Sequence, residues 1–230
     1  MPKASAARAG RTSYSVVSAL PPVAAMAATG GKAETTEYDV RPARAADALG
    51  IAEAYVAAWA AHWAELTSGA DGEQPELRGV QEQEARFAKT IASGDRELLV
   101  AAGDAGITGF LALGTSYTRP KSCGEVMQLF IHPRFQRKGV GTALLRAAER
   151  RIFQDWPEAH VWATRGNPAN AIYERLGWAA TGREKEIKST MATRPVPVVE
   201  YSKRRPAGSS RWRSILAAAA VAAAAMALAL

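Results

Sequence analysis

Apolar positions recur along the chain with two periods, and the alternation between them divides it into elements. Ile51, Ala54, Tyr55, Ala58, Trp59, His62 and Trp63 fall at three- and four-residue steps, which places them on one face of a helix. Residues 80–93 read as a second helix carrying Phe87 and Ile91, ended by Gly94-Asp95. Residues 97–102 and 107–113 are apolar runs joined by Asp104-Ala105-Gly106, a hairpin turn, with Gly109 and Phe110 near the middle of the second run. In 125–131, Glu125, Met127, Leu129 and Ile131 alternate with Val126, Gln128 and Phe130; a strand period of two puts Glu125 on the same side as Leu129. Pro133 lacks a backbone donor and ends this strand near His132. From Thr142, helical spacing returns with Leu144, Leu145, Ala148 and Ile152.

The remaining elements frame this centre. Residues 38–43 predict a short first strand, with Asp47 able to cap the helix that follows. Residues 67–76 and 114–124 read as loops, the latter holding Cys123. After a break at Trp156-Pro157-Glu158, residues 159–164 form a strand. A short helix runs from a cap at Asn167 or Asn170 to Gly177, and 181–189 and 196–203 are the last two strands.

The ends differ from this body. Residues 1–36 are rich in Ala, Ser and Gly with no sustained period, as expected of a disordered tail. Being basic, Ser/Ala-rich and free of acid up to Lys32, they also suit an organellar targeting segment; Pro21-Pro22 interrupts the apolar stretch a secretory signal needs. Residues 204–214 are a basic, flexible linker. Residues 215–230 are an uncharged, mostly alanine run; as a helix it would span about 24 Å against a hydrocarbon core of roughly 30 Å, so a tail anchor and a peripheral helix both remain open. A cytoplasmic location is the first expectation, with organellar and membrane-tethered alternatives.

Composition then narrows the chemistry. The net charge of +7 comes from the ends: residues 1–33 and 203–230 hold nine basic residues and no acid, leaving 20 basic against 22 acidic residues elsewhere. A body so nearly neutral argues against nucleic-acid binding, which needs a basic face on the folded unit. One cysteine excludes an intrachain disulfide, and three scattered histidines lack metal-ligand spacing, so no metal is expected.

The loop Gln136-Arg137-Lys138-Gly139-Val140-Gly141 sits between the central strand and the helix from Thr142. Free N–H groups and the helix dipole at such a junction favour phosphate, and glycine lets an anion approach the backbone. A lone Gly-x-Gly is equally a tight turn. Here, however, Gln-x-x-Gly-x-Gly follows a strand ending in His-Pro and opens an amphipathic helix. A second run, Gly166-Asn167-Pro168-Ala169-Asn170-Ala171-Ile172-Tyr173-Glu174-Arg175-Leu176-Gly177-Trp178, carries Ala-x-Tyr-x-x-x-Gly-aromatic, with Trp178 in place of the usual Phe.

Together these two motifs, across residues 37–203, resemble the GNAT family of N-acetyltransferases. The resemblance implies an α/β (α+β) fold: a mixed central sheet of six to seven strands, splayed at its centre and flanked by about four helices. It implies acetyl-CoA as co-substrate. The diphosphate would lie on Gln136, Arg137, Lys138, Gly139, Val140, Gly141 and Thr142, and pantetheine would pair with freed backbone at Leu129, Phe130 and Ile131. Asn167 or Asn170 would also contact the cofactor, which of the two being open. Tyr173 would protonate the departing thiolate, a task a phenol suits because it is protonated at neutral pH. Glu125, fourteen positions before Gly139, matches the general base of histone-acetylating relatives, although a water chain serves others. Trp59 and Trp63 would line the acceptor pocket, or simply pack; His62 suits a wall rather than a catalyst. The expected activity is direct transfer of acetyl to a primary amine in a ternary complex. A non-catalytic CoA-binding sensor or membrane-tethered adaptor is the alternative. The acceptor and the oligomeric state are left open.

Overall fold

A computed structural model describes residues 16–17, 38–67, 79–120, 122–187 and 195–207. The strands are β1 (Val16–Val17), β2 (Tyr38–Pro42), β3 (Glu97–Gly103), β4 (Gly106–Thr115), β5 (Cys123–Ile131), β6 (Glu158–Thr164), β7 (Ala179–Ile187) and β8 (Val196–Arg204). The helices are α1 (Ala48–Thr67), α2 (Val80–Ser93), α3 (Val140–Asp155) and α4 (Ala171–Arg175), with 3-10 turns at Ala45–Asp47, Pro133–Phe135 and Pro168–Asn170. Seven strands form one mixed sheet in the order β2-β3-β4-β5-β6-β8-β7, and β1 pairs with β5 off that path. The seven-stranded mixed sheet and its four helices bear out the expected fold.

Both faces of the sheet are covered. On one, α3 lays Leu144, Leu145, Ala148 and Ile152 against Leu111, Val126, Leu129 and Val161. On the other, α1 and α2 lay Tyr55, Trp59 and Phe87 against Phe110, Met127, Phe130 and Trp162. This second layer is aromatic: Tyr55 meets Phe130 edge-on at 4.9 Å, and Phe110 stacks on Phe130 at 5.6 Å. Such pairs add about 0.5–1.5 kcal/mol each beyond the area they bury.

The period of β5 is broken in the middle. Leu113 pairs with Val126 but Ala112 pairs with Gln128, so Met127 is an extra residue, a β-bulge. Val126, Leu129 and Ile131 consequently share the α3 face, while Met127 and Phe130 share the α1 face. Simple alternation puts Glu125 beside Leu129. The bulge overturns that: Glu125, opposite in sense to Val126, faces α1, and Leu129 faces α3. A one-residue slip exchanges the faces of everything beyond it.

Two further expectations need correction. Asp47 does not cap α1 from outside; it closes the preceding 3-10 turn, accepting from the Arg44 amide at 2.7 Å and pairing with Arg41 at 2.7 and 2.9 Å. Cys123 is not in a loop but begins β5, buried, which pushes its thiol up to about 11. Gly109 marks a tight approach of β4 to β5, since a Cβ there would stand 2.9 Å from the Phe130 carbonyl oxygen.

β5 and β6 run parallel and pair only from Cys123–Val126 to Glu158–Val161. Beyond, they part, while β6 stays paired with β8 throughout. In the gap, Val16 and Val17 pair in parallel with Gln128 and Leu129. The sequence gives no signal for this short strand, and its presence in the splay bears on ligand access.

Among the described residues no helix is long and apolar enough to cross a membrane. Residues 215–230, the candidate anchor, lie outside the described residues, as does most of the candidate targeting segment 1–36.

Candidate active site

The loop after β5 has the geometry of an anion cradle. Pro133 starts a 3-10 turn, Arg137 and Gly139 have φ of 64° and 83°, and α3 begins at Val140. Gly139 is needed there because left-handed backbone disfavours a Cβ. The first intrahelical bond runs from the Ala143 amide to the Gly139 carbonyl, so the amides of Val140, Gly141 and Thr142 precede the helical ladder. Among the described residues, none of the amides from Arg137 to Thr142 is taken by a loop or side-chain acceptor. A cavity of about 290 Å³ opens on them, lined on one side by Leu129, Ile131, Gln136, Gly139, Gly141 and Thr142. Ala169, Ile172 and Arg175 line it from the other side, and Arg137 and Arg175 give it positive charge.

Several polar side-chain atoms on the segments around the splay are unmatched. Thr164 Oγ1, Asn170 Oδ1 and the Tyr173 hydroxyl are buried without a hydrogen-bond partner, as is Gln136 Oε1. Leaving such atoms unpaired costs about 1–3 kcal/mol each. Tyr173 is fully buried, stacked on Tyr201 at 5.3 Å and edge-on to Trp178 at 5.8 Å. Burial, reinforced by Tyr201, pushes its phenol well above the ordinary value, so it holds its proton.

The two asparagines divide their work. Asn167 Oδ1 accepts from the Ala169 amide at 2.8 Å and caps the 3-10 turn. Asn170 makes no cap; its Nδ2 donates to the Thr164 carbonyl at 3.0 Å, and its Oδ1 is the unpartnered atom. Phe130 turns to the α1 face and Val140 is buried beneath α3, so either meets the cavity only through its backbone. Lys138 lies over Phe135, Nζ 5.5 Å from the ring centre.

Trp59 is buried against Phe130, with centroids 6.0 Å apart. Its Nε1, His62 Nδ1 and Gln83 Oε1 all lack partners among the described residues. Burial pushes the His62 imidazole below its ordinary value. Trp63 stands on the same helix, its side chain outside the described set.

At the paired end of β5 and β6 lies a polar cluster that pattern reading missed apart from Glu125. Glu125, His160 and Glu200 are each no more than 1% exposed, on the α1 face of β5, β6 and β8. Glu125 Oε2 accepts from the Tyr117 amide at 3.2 Å and stands 3.6 Å from His160 Nε2. His160 Nδ1 stands 3.2 Å from Glu200 Oε1, off the line of a good hydrogen bond. Arg119 clamps Glu200 through Nε and Nη2 at 3.0 and 2.8 Å and reaches Glu158 at 2.6 Å. Thr181 donates to Glu200 at 2.8 Å. Burial pushes Glu200 up, but Arg119 and Thr181 together outweigh it and hold the carboxyl below its ordinary value. The signal in the sequence was a charge at an inward position of an apolar strand, as in Val198-Val199-Glu200-Tyr201.

A mixed, centrally splayed sheet with an anion cradle at the mouth of the splay defines a nucleotide-cofactor transferase architecture. Residues 70–193, more than half of the chain, match the family model for the acetyltransferase (GNAT) domain, and the chain belongs to that family. The comparison with curated proteins gives no match. Among solved structures, an N-acetyltransferase from Staphylococcus aureus superposes with a TM-score of 0.56 at 13% identity, covering 73% of this chain and 98% of that one. A Salmonella typhimurium protein described as an acetyltransferase, solved with acetyl-CoA, gives 0.55 at 18% identity, covering 76% and 98%. The PaiA N-acetyltransferase of Thermoplasma acidophilum, solved with coenzyme A, gives 0.54 at 17%, covering 74% and 99%. At these identities the likeness is one of fold.

Proposed function

We propose that the chain transfers acetyl from acetyl-CoA to a primary amine by direct attack in a ternary complex. The observation that carries this is the set of unclaimed amides at residues 137–142, opening on a cavity whose far side is lined by Ala169, Ile172 and Arg175, next in sequence to Asn170 and Tyr173 with their unpartnered buried atoms. A diphosphate suits the amides, Arg137 and Arg175. A pantetheine amide suits Asn170 Oδ1 and the β5 backbone beyond Val126, which β6 leaves and β1 pairs at Gln128 and Leu129. That two similar folds are solved with acetyl-CoA and coenzyme A supports the same donor here.

In this reading Tyr173 gives its proton to the departing thiolate, and burial without a partner keeps that proton in place until it is needed. Glu125, on the α1 face, takes a proton from the acceptor ammonium directly or through water. Trp59 walls the acceptor side. The strand β1 must leave the splay before pantetheine can pair with β5, since both use the same edge at Gln128 and Leu129. The test is to incubate the full chain with acetyl-CoA and a panel of small amines, polyamines, amino acids and peptides, following thiol release. Turnover on at least one amine is expected. No binding of acetyl-CoA by equilibrium dialysis would overturn the reading.

A further inference from the structure

Strand register carries a lysine to the place where β5 and β6 part. β6 pairs Thr164 with Val198 of β8, and β8 pairs Val198 with Lys185 of β7. Directly opposed residues of an antiparallel pair share one side of the sheet. Val198 and Ile187, two positions on from Lys185, both pack in the aromatic layer beneath α1, so Lys185 turns to that face as well. Its side chain crosses β8 and sets Nζ 3.9 Å from the centre of the Trp162 ring. Trp162 is the residue after Val161, where the pairing of β5 with β6 stops. The ammonium thus stands at the fork, on the face that carries Glu125, His160 and Glu200.

Little else holds it there. Among the described residues Nζ makes no ion pair, and the indole face is its close partner. Lys203, by contrast, is tied to Glu149 at 2.8 Å and to the Leu176 carbonyl at 2.5 Å. Arg183 approaches the same indole, 5.7 Å from its centre. Burial pushes the Lys185 ammonium below its ordinary value and Arg183 adds to this, while Glu125 and Glu200 pull the other way. A lowered lysine is more often a neutral amine, which is the nucleophilic form. Lys185 is only half-buried, so a proton it sheds passes to water.

We propose that Lys185 is an acceptor within its own chain: acetyl-CoA seated in the splay acetylates Lys185 Nζ. The inference rests on the proposed function. In that reading pantetheine runs from the cradle along β5 towards Val126, which brings the thioester to the fork beside Trp162. The Lys185 ammonium gives one proton to water. The neutral amine attacks the thioester carbonyl; the N–C bond forms and the C–S bond breaks. The departing thiolate takes the Tyr173 proton, the new amide nitrogen sheds its second proton to water, and water reprotonates Tyr173. In sum, one lysine ammonium and one acetyl-CoA become one acetyl-lysine, one free thiol and one proton. The product is uncharged, so the cation that faces Trp162, Glu125 and Glu200 is lost.

The test incubates the full chain, without added amine, with acetyl-CoA carrying ¹³C in the acetyl group, and follows label by mass spectrometry of the intact protein and its peptides. Label is expected on Lys185 ahead of every other lysine, with a rate constant that does not change with protein concentration. Excess coenzyme A, which fills the splay without an acetyl group, should suppress it, and unfolding the chain in urea should abolish the preference for Lys185. Label spread evenly over the exposed lysines, or indifferent to coenzyme A, would overturn the inference in favour of uncatalysed chemistry. A rate constant that grows with protein concentration would overturn it in favour of transfer between molecules. No label on Lys185 in a preparation that binds acetyl-CoA would also overturn it, and turnover of an added amine by that preparation would leave the proposed function standing. Failure to bind acetyl-CoA in equilibrium dialysis would remove the proposed function, and this inference with it.

Discussion

β5 and β6 begin together and end apart, and the two ends of that pair are finished in different ways. At the paired end, Glu125, His160, Glu200 and Ser116 are buried and, with the half-buried Arg119, meet one another, although His160 Nδ1 makes no hydrogen bond. At the splayed end, Thr164 Oγ1, Asn170 Oδ1 and the Tyr173 hydroxyl are buried and engage nothing. The first arrangement is largely closed by protein; the second keeps polar atoms without protein partners, which the proposed function gives to a ligand. In the proposed function the difference separates polar groups that hold the fold from those that meet a ligand.

The contrast is sharpest at Tyr173. Replacing it with Phe removes a hydroxyl that bonds nothing, so stability should hold or rise slightly. The same change should lower kcat by about 10²–10⁴-fold if the phenol supplies the leaving-group proton. Thermal melting and steady-state kinetics on one preparation check both halves. An unstable variant with intact turnover would invert the comparison.

The opposite pattern is expected at Arg119. Arg119→Ala leaves Glu200 buried without its clamp, and losing one partner of a buried pair costs about 3–5 kcal/mol. At about 2–4 °C of Tm per kcal/mol for a chain of this size, the shift is read directly by calorimetry. Acetyl-CoA affinity at temperatures well below Tm should be nearly unchanged, because the splay is not touched.

A third experiment concerns the splay itself. Val16 and Val17 occupy the β5 edge that pantetheine would use. Deleting residues 1–17 should lower KM for acetyl-CoA about fivefold to tenfold, corresponding to roughly one backbone hydrogen bond no longer broken on binding. Equilibrium dialysis of the truncated and full chains measures it; equal affinities would show that the tail offers no competition.

Much of this was legible in the sequence, for identifiable reasons. Helical and strand periods marked α1, α2, α3 and the strands from β2 to β8 to within a few residues, because most of these elements bury a continuous apolar face. The cradle was visible because Gly139 and Gly141 sit at a fixed offset from Pro133 and the first leucines of α3. The face of Glu125 was not visible, since a single bulged residue at Met127 reverses parity and leaves no mark in a run of apolar residues. The Glu125–His160–Glu200 line was not visible either. Its members are 35 and 40 positions apart and meet only through the order β5-β6-β8. That the 3-10 turn at Pro168–Asn170 takes up the side chain of Asn167 and not that of Asn170 was not visible either, because it depends on backbone angles rather than on spacing.

The smallest expected effect tests whether burial with and without partners differs for a titrating group. His62 and His160 are both buried and both held below the ordinary imidazole value, His62 by burial alone and His160 by burial against two opposing carboxylates. A histidine depressed in the folded state contributes stability that is fully present above the unfolded value near 6.5 and is lost as pH falls through the lowered folded value. Asp47 and Glu200, also lowered, lose their contributions further down in the acid range. Tm should therefore begin to fall below about pH 6.5, before any carboxylate titrates. His62→Asn, which removes the imidazole that no charge supports, should flatten the first part of that fall while leaving the carboxylate part intact. Melting curves from pH 7.5 to 4 for both chains decide it, and identical slopes between pH 6.5 and 5.5 would mean that His62 is not the group sensing acid.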